Sequence, residues 1–256
     1  MLKNKIASII DESQGNVAVV VKNLSTGLKI SFNPDLIFPS ASTIKLVILS
    51  DLLRQCKSGR FNIENKIQIT KELLTSGDGI LKELEIGHTF SLEELATLMI
   101  IISDNMATNI LIDLLGINNI NNTAEQLGLK QTVLQRKMMD FKAKASGKDN
   151  FTCANDMAHI LELIYTGKAI NNESSKIMLN ILLRQQVNGS LNLYLPGEVK
   201  IAHKTGDLDN LEHDVGIVYL PTTNYIICVL TNNLKSNKEG REIIGLISKA
   251  VYDGFC

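Results

Sequence analysis

The sequence lacks any closely spaced cysteine pair. Its four cysteines, Cys56, Cys153, Cys228 and Cys256, form no C-x-x-C. That spacing excludes a zinc ribbon or thioredoxin-like motif and leaves buried or free thiols as the expected state. No run of 18 apolar residues occurs, which argues against a membrane span. Lys and Arg total 26 against 27 Asp and Glu, a net charge of −1. Neither nucleic acid nor an anionic membrane is therefore an expected partner. The N-terminal apolar stretch Ile6–Ile10 is too short for a secretory leader. The expectation is a cytoplasmic protein, or a periplasmic or secreted one whose leader has been removed. Internal repeats and low-complexity linkers are also missing. With 256 residues and 45% hydrophobic content, the chain can bury a large core.

What is present is a change of period along the chain. Leu2, Ile6, Ile9 and Ile10 follow helical spacing. Val17–Val21 and Leu28–Phe32, joined by the turn residues Asn23-Leu24-Ser25-Thr26-Gly27, predict a β-hairpin. From there to about residue 185 the apolar segments are helical. Ser91-Leu92-Glu93-Glu94 is a capping box opening Leu95–Ile102. Met106–Leu115 stops at Gly116, Ala124–Leu127 closes at Gly128, Asn155 reads as the cap of Met157–Tyr165, and Ser174–Leu183 follows. Lys200–Thr205, Val215–Leu220 and Tyr225–Leu230 return to strand, and Glu239–Val251 closes the chain as a helix. The predicted fold is α+β: an antiparallel sheet of about five strands flanked by the terminal helices. Residues 1–37 and 186–256 would form the sheet lobe and 38–185 an inserted all-helical lobe, with the active site between them.

Three polar clusters interrupt these elements. Ser42 and Lys45 stand at i, i+3 at the start of an apolar helix, on one face. A lysine of lowered pKa there could take the serine proton, although a lone S-x-x-K is more often an ordinary helix start. Ser103-Asp104-Asn105 joins two apolar helices and reads equally well as a capping turn. Lys204-Thr205-Gly206 ends a strand: a positive charge, a hydroxyl, and a residue leaving room for a ligand along the strand edge. Each tripeptide has a chance expectation of roughly 0.05 in a chain of this composition. Together they are not accidental.

Ser42-x-x-Lys45, Ser103-Asp104-Asn105 and Lys204-Thr205-Gly206, in that order, resemble the three signatures of class A β-lactamases and penicillin-binding proteins. The resemblance implies that Ser42 is the acylated nucleophile and Lys45 its proton acceptor or part of the relay. It implies that Ser103 passes the proton to the leaving nitrogen and that Asn105 holds the substrate's side-chain amide. Lys204 and Thr205 would bind the substrate carboxylate, and the backbone N–H groups of Ser42 and Asp207 would form the oxyanion hole. The substrate would be a small molecule, a β-lactam or a D-Ala-type peptide or ester, handled by a monomer. No cofactor is implied. His88 and His159 have no visible ligand partners, so no metal is implied either.

The chain departs from the family in one loop. The family carries a glutamate two residues after an arginine to activate the deacylating water. Here Arg136 is followed by Met138, and no glutamate occurs between Glu125 and Glu162. Asp140 is the nearest carboxylate and the candidate replacement, its plain alternative being a loop cap. Arg136 is expected to pair with Asp149. By strand alternation the Asp207 carboxylate shares a face with Thr205 and would weaken binding of anions. His213, in the hairpin after Lys204, is the candidate for compensating positive charge, while His203 points away. A lactamase that deacylates slowly, a D,D-peptidase or ester hydrolase, a lactam binder acylated once, and a relic fold with no acylation all remain open at this point.

Overall fold

Strand alternation in the wholly buried run Val17–Val21 sends Val17, Val19 and Val21 to one side of a sheet and Ala18 and Val20 to the other. The computed structural model describes residues 2–256. Helix α1 (Leu2–Glu12) leads into strands β1 (Asn16–Asn23) and β2 (Lys29–Phe32), an antiparallel hairpin. A two-residue strand β3 (Phe38–Pro39) and a 3-10 turn, Ala41–Ile44, precede α2 (Lys45–Lys57). The short strands β4 (Lys66–Gln68) and β5 (Thr89–Ser91) pair with each other, and α3 (Leu92–Ile101), α4 (Asn105–Leu115) and α5 (Ile117–Gln126) follow. Next come α6 (Phe141–Ala145), β6 (Phe151–Thr152) against β3, α7 (Ala154–Tyr165) and α8 (Asn172–Leu182). The chain ends with β7 (Lys200–Leu208), β8 (Leu211–Tyr219), β9 (Asn224–Asn232) and α9 (Asn237–Phe255).

The five long strands form one antiparallel sheet in the order β2-β1-β9-β8-β7. One face is covered by the terminal helices, through Ile6 and through Ile243, Ile244, Ile247 and Val251. The opposite face carries Ala18, Val20, Ile226 and Cys228 into the larger core built by the helices. This is the α+β arrangement the sequence predicts. None of the described helices is long and apolar enough to cross a membrane.

Helix α2 is the hub of the helical part. Every residue from Lys45 to Leu53 is buried, as expected of a helix that is apolar nearly all round. Its polar member Asp51 accepts hydrogen bonds from Arg54, Gln55 and Thr123 at 2.7–3.0 Å, which ties α2 to α5.

Local expectations differ from the structure in three places. α5 begins at Ile117 rather than near Ala124, because Asn118, Asn119, Asn121 and Asn122 hide its apolar period. Asn155 lies inside α7. The cap is Cys153, whose thiol accepts from the Asp156 N–H at 3.4 Å. Serine 42 lies in the 3-10 turn, and the α-helix proper starts at Lys45.

Asp51 is fully buried, so its removal strands two polar partners in the core. Asp51→Ala is expected to cost about 3 kcal/mol, read as a lowered midpoint in urea unfolding with an unchanged slope.

Candidate active site

The site is assembled where β7 meets the 3-10 turn. A Cβ on Gly206 would come within 2.9 Å of the Ser42 nitrogen and 3.1 Å of the Ala41 Cβ, so only glycine permits this approach. The turn itself is pinned. The Ser40 N–H donates to the Asn150 carbonyl at 2.8 Å, and the Thr43 hydroxyl donates to the Ser40 carbonyl at 2.6 Å. Half-buried Ser42 opens onto a cavity of about 730 Å³ lined also by Asp78, Asn105, Met138, Phe141 and Asp207.

Among the described residues, six non-glycine residues have positive φ. Three are asparagines, which tolerate the left-handed region. The others, Ala41 (φ 44°), Ser103 (φ 59°) and Met139 (φ 61°), all stand at this site. Such strain is kept where the surrounding structure enforces it.

Ser103-Asp104-Asn105 divides its labour. Asp104 is fully buried and structural: its carboxylate accepts from Ala107 N–H at 2.9 Å, capping α4, and from Ile80 and Leu81 N–H at 2.8 and 2.9 Å. Ser103 and Asn105 face Lys45. The Lys45 Nζ lies 2.7 Å from the Ser103 carbonyl oxygen, 3.0 Å from the Ser103 Oγ and 3.1 Å from the Asn105 Oδ1. Burial, and then the charge of Lys204, hold the Lys45 pKa well below its ordinary value, against the opposing pull of Asp78, Asp104 and Asp207. A neutral amine has two N–H groups for the two carbonyl oxygens and a lone pair for a hydroxyl proton. Lys204 closes the chain, donating to the Ser103 Oγ at 3.2 Å and to the Thr205 carbonyl at 2.8 Å. Burial lowers its pKa to about 8, with Asp214, Asp207 and Asp78 limiting the fall. The arrangement can accept a proton at Lys45 and hand one on through Ser103. Ser42, Lys45, Ser103, Asn105 and Lys204 thus come together, with Thr205, Gly206 and Asp207 on the adjoining strand.

Two other residues singled out in the sequence sit differently. His213 is fully buried. Its Nε2 lies 2.8 Å from the Pro39 carbonyl, and its Nδ1 accepts from the Thr231 N–H at 3.1 Å. Burial drives its pKa down to about 4, so it is neutral and supplies no charge. The cation on that side is Arg241, which lines the cavity and pairs with Glu212 at 2.7 Å. Asp140 caps α6, accepting from the Ala143 N–H at 2.9 Å, and is not among the cavity-lining residues. It is held as the loop cap that was its plain alternative.

Met138, in contrast, is fixed at the cavity wall. Asn109 accepts from its N–H at 2.8 Å and donates to its carbonyl at 3.0 Å. Arg136 pairs with Asp149 at 2.8 Å, as expected, and Asn150 accepts from the Gln135 and Arg136 N–H groups. His203 points away and binds Asp214 at 2.8 Å. Sequence reading missed Asn109, Asp78 and Arg241. Asn109 follows Asn105 by four residues on the same helical face, a spacing that could have found it. Asp78 sits between two glycines in Gly77-Asp78-Gly79, a turn signal. Arg241 left no signal.

Proteins of known structure share this fold. The β-lactamase of Sphaerobacter thermophilus superposes with a TM-score of 0.92 at 30% identity, covering 99% of this chain and 96% of that one. PBP-A, in a mutant solved as an acyl-enzyme complex with penicillin G, gives a TM-score of 0.90 at 29% identity over 99% of this chain and 96% of its own. β-Lactamase CARB-4 of Pseudomonas aeruginosa is 26% identical over 78% of this chain and 70% of its own length. A sequence profile of the β-lactamase enzyme family matches residues 1–255, and the chain belongs to that family.

Proposed function

We propose that the protein is a serine acyl-transfer enzyme that opens β-lactams by acylation of Ser42 and releases the acyl group slowly. In acylation the Ser42 Oγ attacks the lactam carbonyl carbon and its proton passes to the Lys45 amine. The N–H groups of Ser42 and Asp207 receive the oxyanion. The C–N bond then breaks, and the leaving nitrogen takes the proton that Lys45 accepted, relayed through the Ser103 hydroxyl. Asn105 orients the side-chain amide, and Lys204 with Thr205 holds the carboxylate.

Release requires a base for water. The observation that carries this reading is Met138, clamped by Asn109 at the cavity wall where the resemblance calls for a glutamate. A thioether cannot deprotonate water, and the Asp140 carboxylate is committed to Ala143. A second reading, a D,D-peptidase or small-ester hydrolase inhibited by lactams, draws support from the likeness to PBP-A. Turnover of a D-Ala-D-Ala peptide or short ester, with lactams acting only as inhibitors, would select it.

Intact mass after exposure to benzylpenicillin should show a persistent adduct that is lost in Ser42→Ala. Met138→Glu should shorten its lifetime by about 10²-fold or more, and Asp140→Asn should leave it unchanged. A wild-type adduct that vanishes within seconds, or a lifetime lengthened by Asp140→Asn, would overturn slow release for want of a base.

The acylation rate constant should also fall as pH rises through about 8. Lys204 is charged below that value and neutral above it, so its attraction for the substrate carboxylate is present on the acid side and lost on the alkaline side. A neutral ester without a carboxylate should show no such limb in the profile of kcat/KM.

A further inference from the structure

Ser103 and Lys204 meet although they belong to different parts of the fold. Ser103 follows the C-terminus of α3, and Lys204 stands on β7, the outer strand of the sheet. Among the described residues, no hydrogen bond runs directly between α3 and β7. The contact of Lys204 with the Ser103 Oγ at 3.2 Å therefore relies on a third element that holds the helix end against the strand.

That element is the turn after α8, and Gln185 is its clamp. The Gln185 Nε2 donates to the Ile100 carbonyl of α3 at 3.0 Å and to the His203 carbonyl of β7 at 3.2 Å. Its Oε1 accepts from the Gln186 and Val187 N–H groups, both at 3.0 Å. Gln185 is only 6% exposed, and both ends of its amide are fully used. A reversed amide would set NH2 against two N–H groups and oxygen against two carbonyls, so its orientation is fixed. The next residues reinforce the clamp. The Gln186 N–H donates to the Ile101 carbonyl at 2.9 Å, and the Asn188 Oδ1 lies 3.1 Å from the His203 Nε2. Ile100 and Ile101 carry carbonyls that a helix leaves open at its C-terminus. Ile100 stands three residues before Ser103, and His203 directly precedes Lys204. One buried amide thus spans the two elements that carry the relay.

We infer that Gln185 is a positioning residue for proton delivery, holding the Ser103 hydroxyl on Lys204 by tying the end of α3 to the edge of β7. This rests on the acyl-transfer reading above. Lys204 donates to the Ser103 Oγ and so steadies the hydroxyl that passes a proton to the leaving nitrogen. Gln185 touches none of the reacting groups and acts through that contact.

The test uses Gln185→Met, which keeps the length without the amide, and Gln185→Glu, which keeps the acceptor and loses the donors. Acylation by benzylpenicillin is followed by intact mass over a range of concentrations. Each variant should lower the limiting rate constant about tenfold or more, with the half-saturating concentration moved less than about threefold. Lys204 and Thr205, which would hold the carboxylate, remain together on β7. A nitrophenyl ester is the second probe, because its phenolate leaves without taking a proton. Its burst of phenolate should slow by less than about threefold in the same variants. A lactam rate constant unchanged in both variants, or an equal fall with lactam and ester, would overturn the positioning role and leave acylation at Ser42 standing. Loss of the folded state in both variants would also overturn it, by assigning Gln185 to folding. With an ester inert toward the wild type, the split between rate constant and half-saturation decides. Absence of a benzylpenicillin adduct on the wild type would instead overturn the acyl-transfer reading and this inference with it.

Discussion

Two lysine side chains are buried within reach of one serine hydroxyl, and the rest of the molecule is arranged around making that tolerable. Lys45 and Lys204 are both fully buried, and each lies within hydrogen-bond distance of the Ser103 Oγ. Burying an ammonium ion is costly unless it is paired or neutralised. Among the described residues no carboxylate touches either Nζ. The compensation comes from carbonyl and hydroxyl oxygens at short range and from Asp78, Asp104, Asp207 and Asp214 acting at a distance. A direct ion pair would have stabilised the charged forms. Its absence lets burial and Lys204 keep the Lys45 pKa low, which favours the neutral form that a base needs.

Holding that constellation requires backbone that short-range preferences resist. Ala41, Ser103 and Met139 occupy the left-handed region at three chain positions far apart in sequence, and each is over-determined by its neighbours. Ala41 is trapped between the Ser40–Asn150 bond and the Gly206 strand. Ser103 is fixed by Lys45 on one side and by the three N–H groups that Asp104 captures on the other. Met139 follows the residue clamped by Asn109, and its sulfur packs where a Cβ on Gly77 would stand, 2.8 Å away. Two of the strained positions, Ala41 and Met139, line the cavity, and the third, Ser103, lies between the two buried lysines.

Much of the fold was legible because the period of apolar residues changes from two to 3.6 and back along the chain. All five long strands and the terminal helices follow from it. It failed where polar residues carry a helix, as in the asparagine-rich α5, and where a thiol rather than Asn155 caps α7. The motif residues were legible because proton transfer demands particular groups at particular spacings. The environment of a residue was not. His213 is a titratable side chain in the right hairpin, and only burial against Pro39 and Thr231 reveals it as neutral. Asp140 is a carboxylate in the right loop, and only the bond to Ala143 reveals where it points. Sequence offers the type of a side chain, while direction and desolvation are tertiary properties.

The same distinction governs the fate of the acyl group. In the proposed reaction acylation would draw on groups from separate chain regions, with Gly206 lying against Ser42 and Ser103 lying between the lysines. Deacylation would depend on one loop, residues 134–150, held to the helices by Asn109 and Asn121 and to itself by Arg136, Asp149 and Asn150. That loop is as fully anchored as a catalytic loop needs to be, yet the side chain it presents is a thioether. In the proposed reaction Met138 and Phe141, which both line the cavity, would present apolar surface to the ester. On that view slow release follows from the shape and polarity of the cavity as well as from the missing carboxylate, and the two contributions act on the same step.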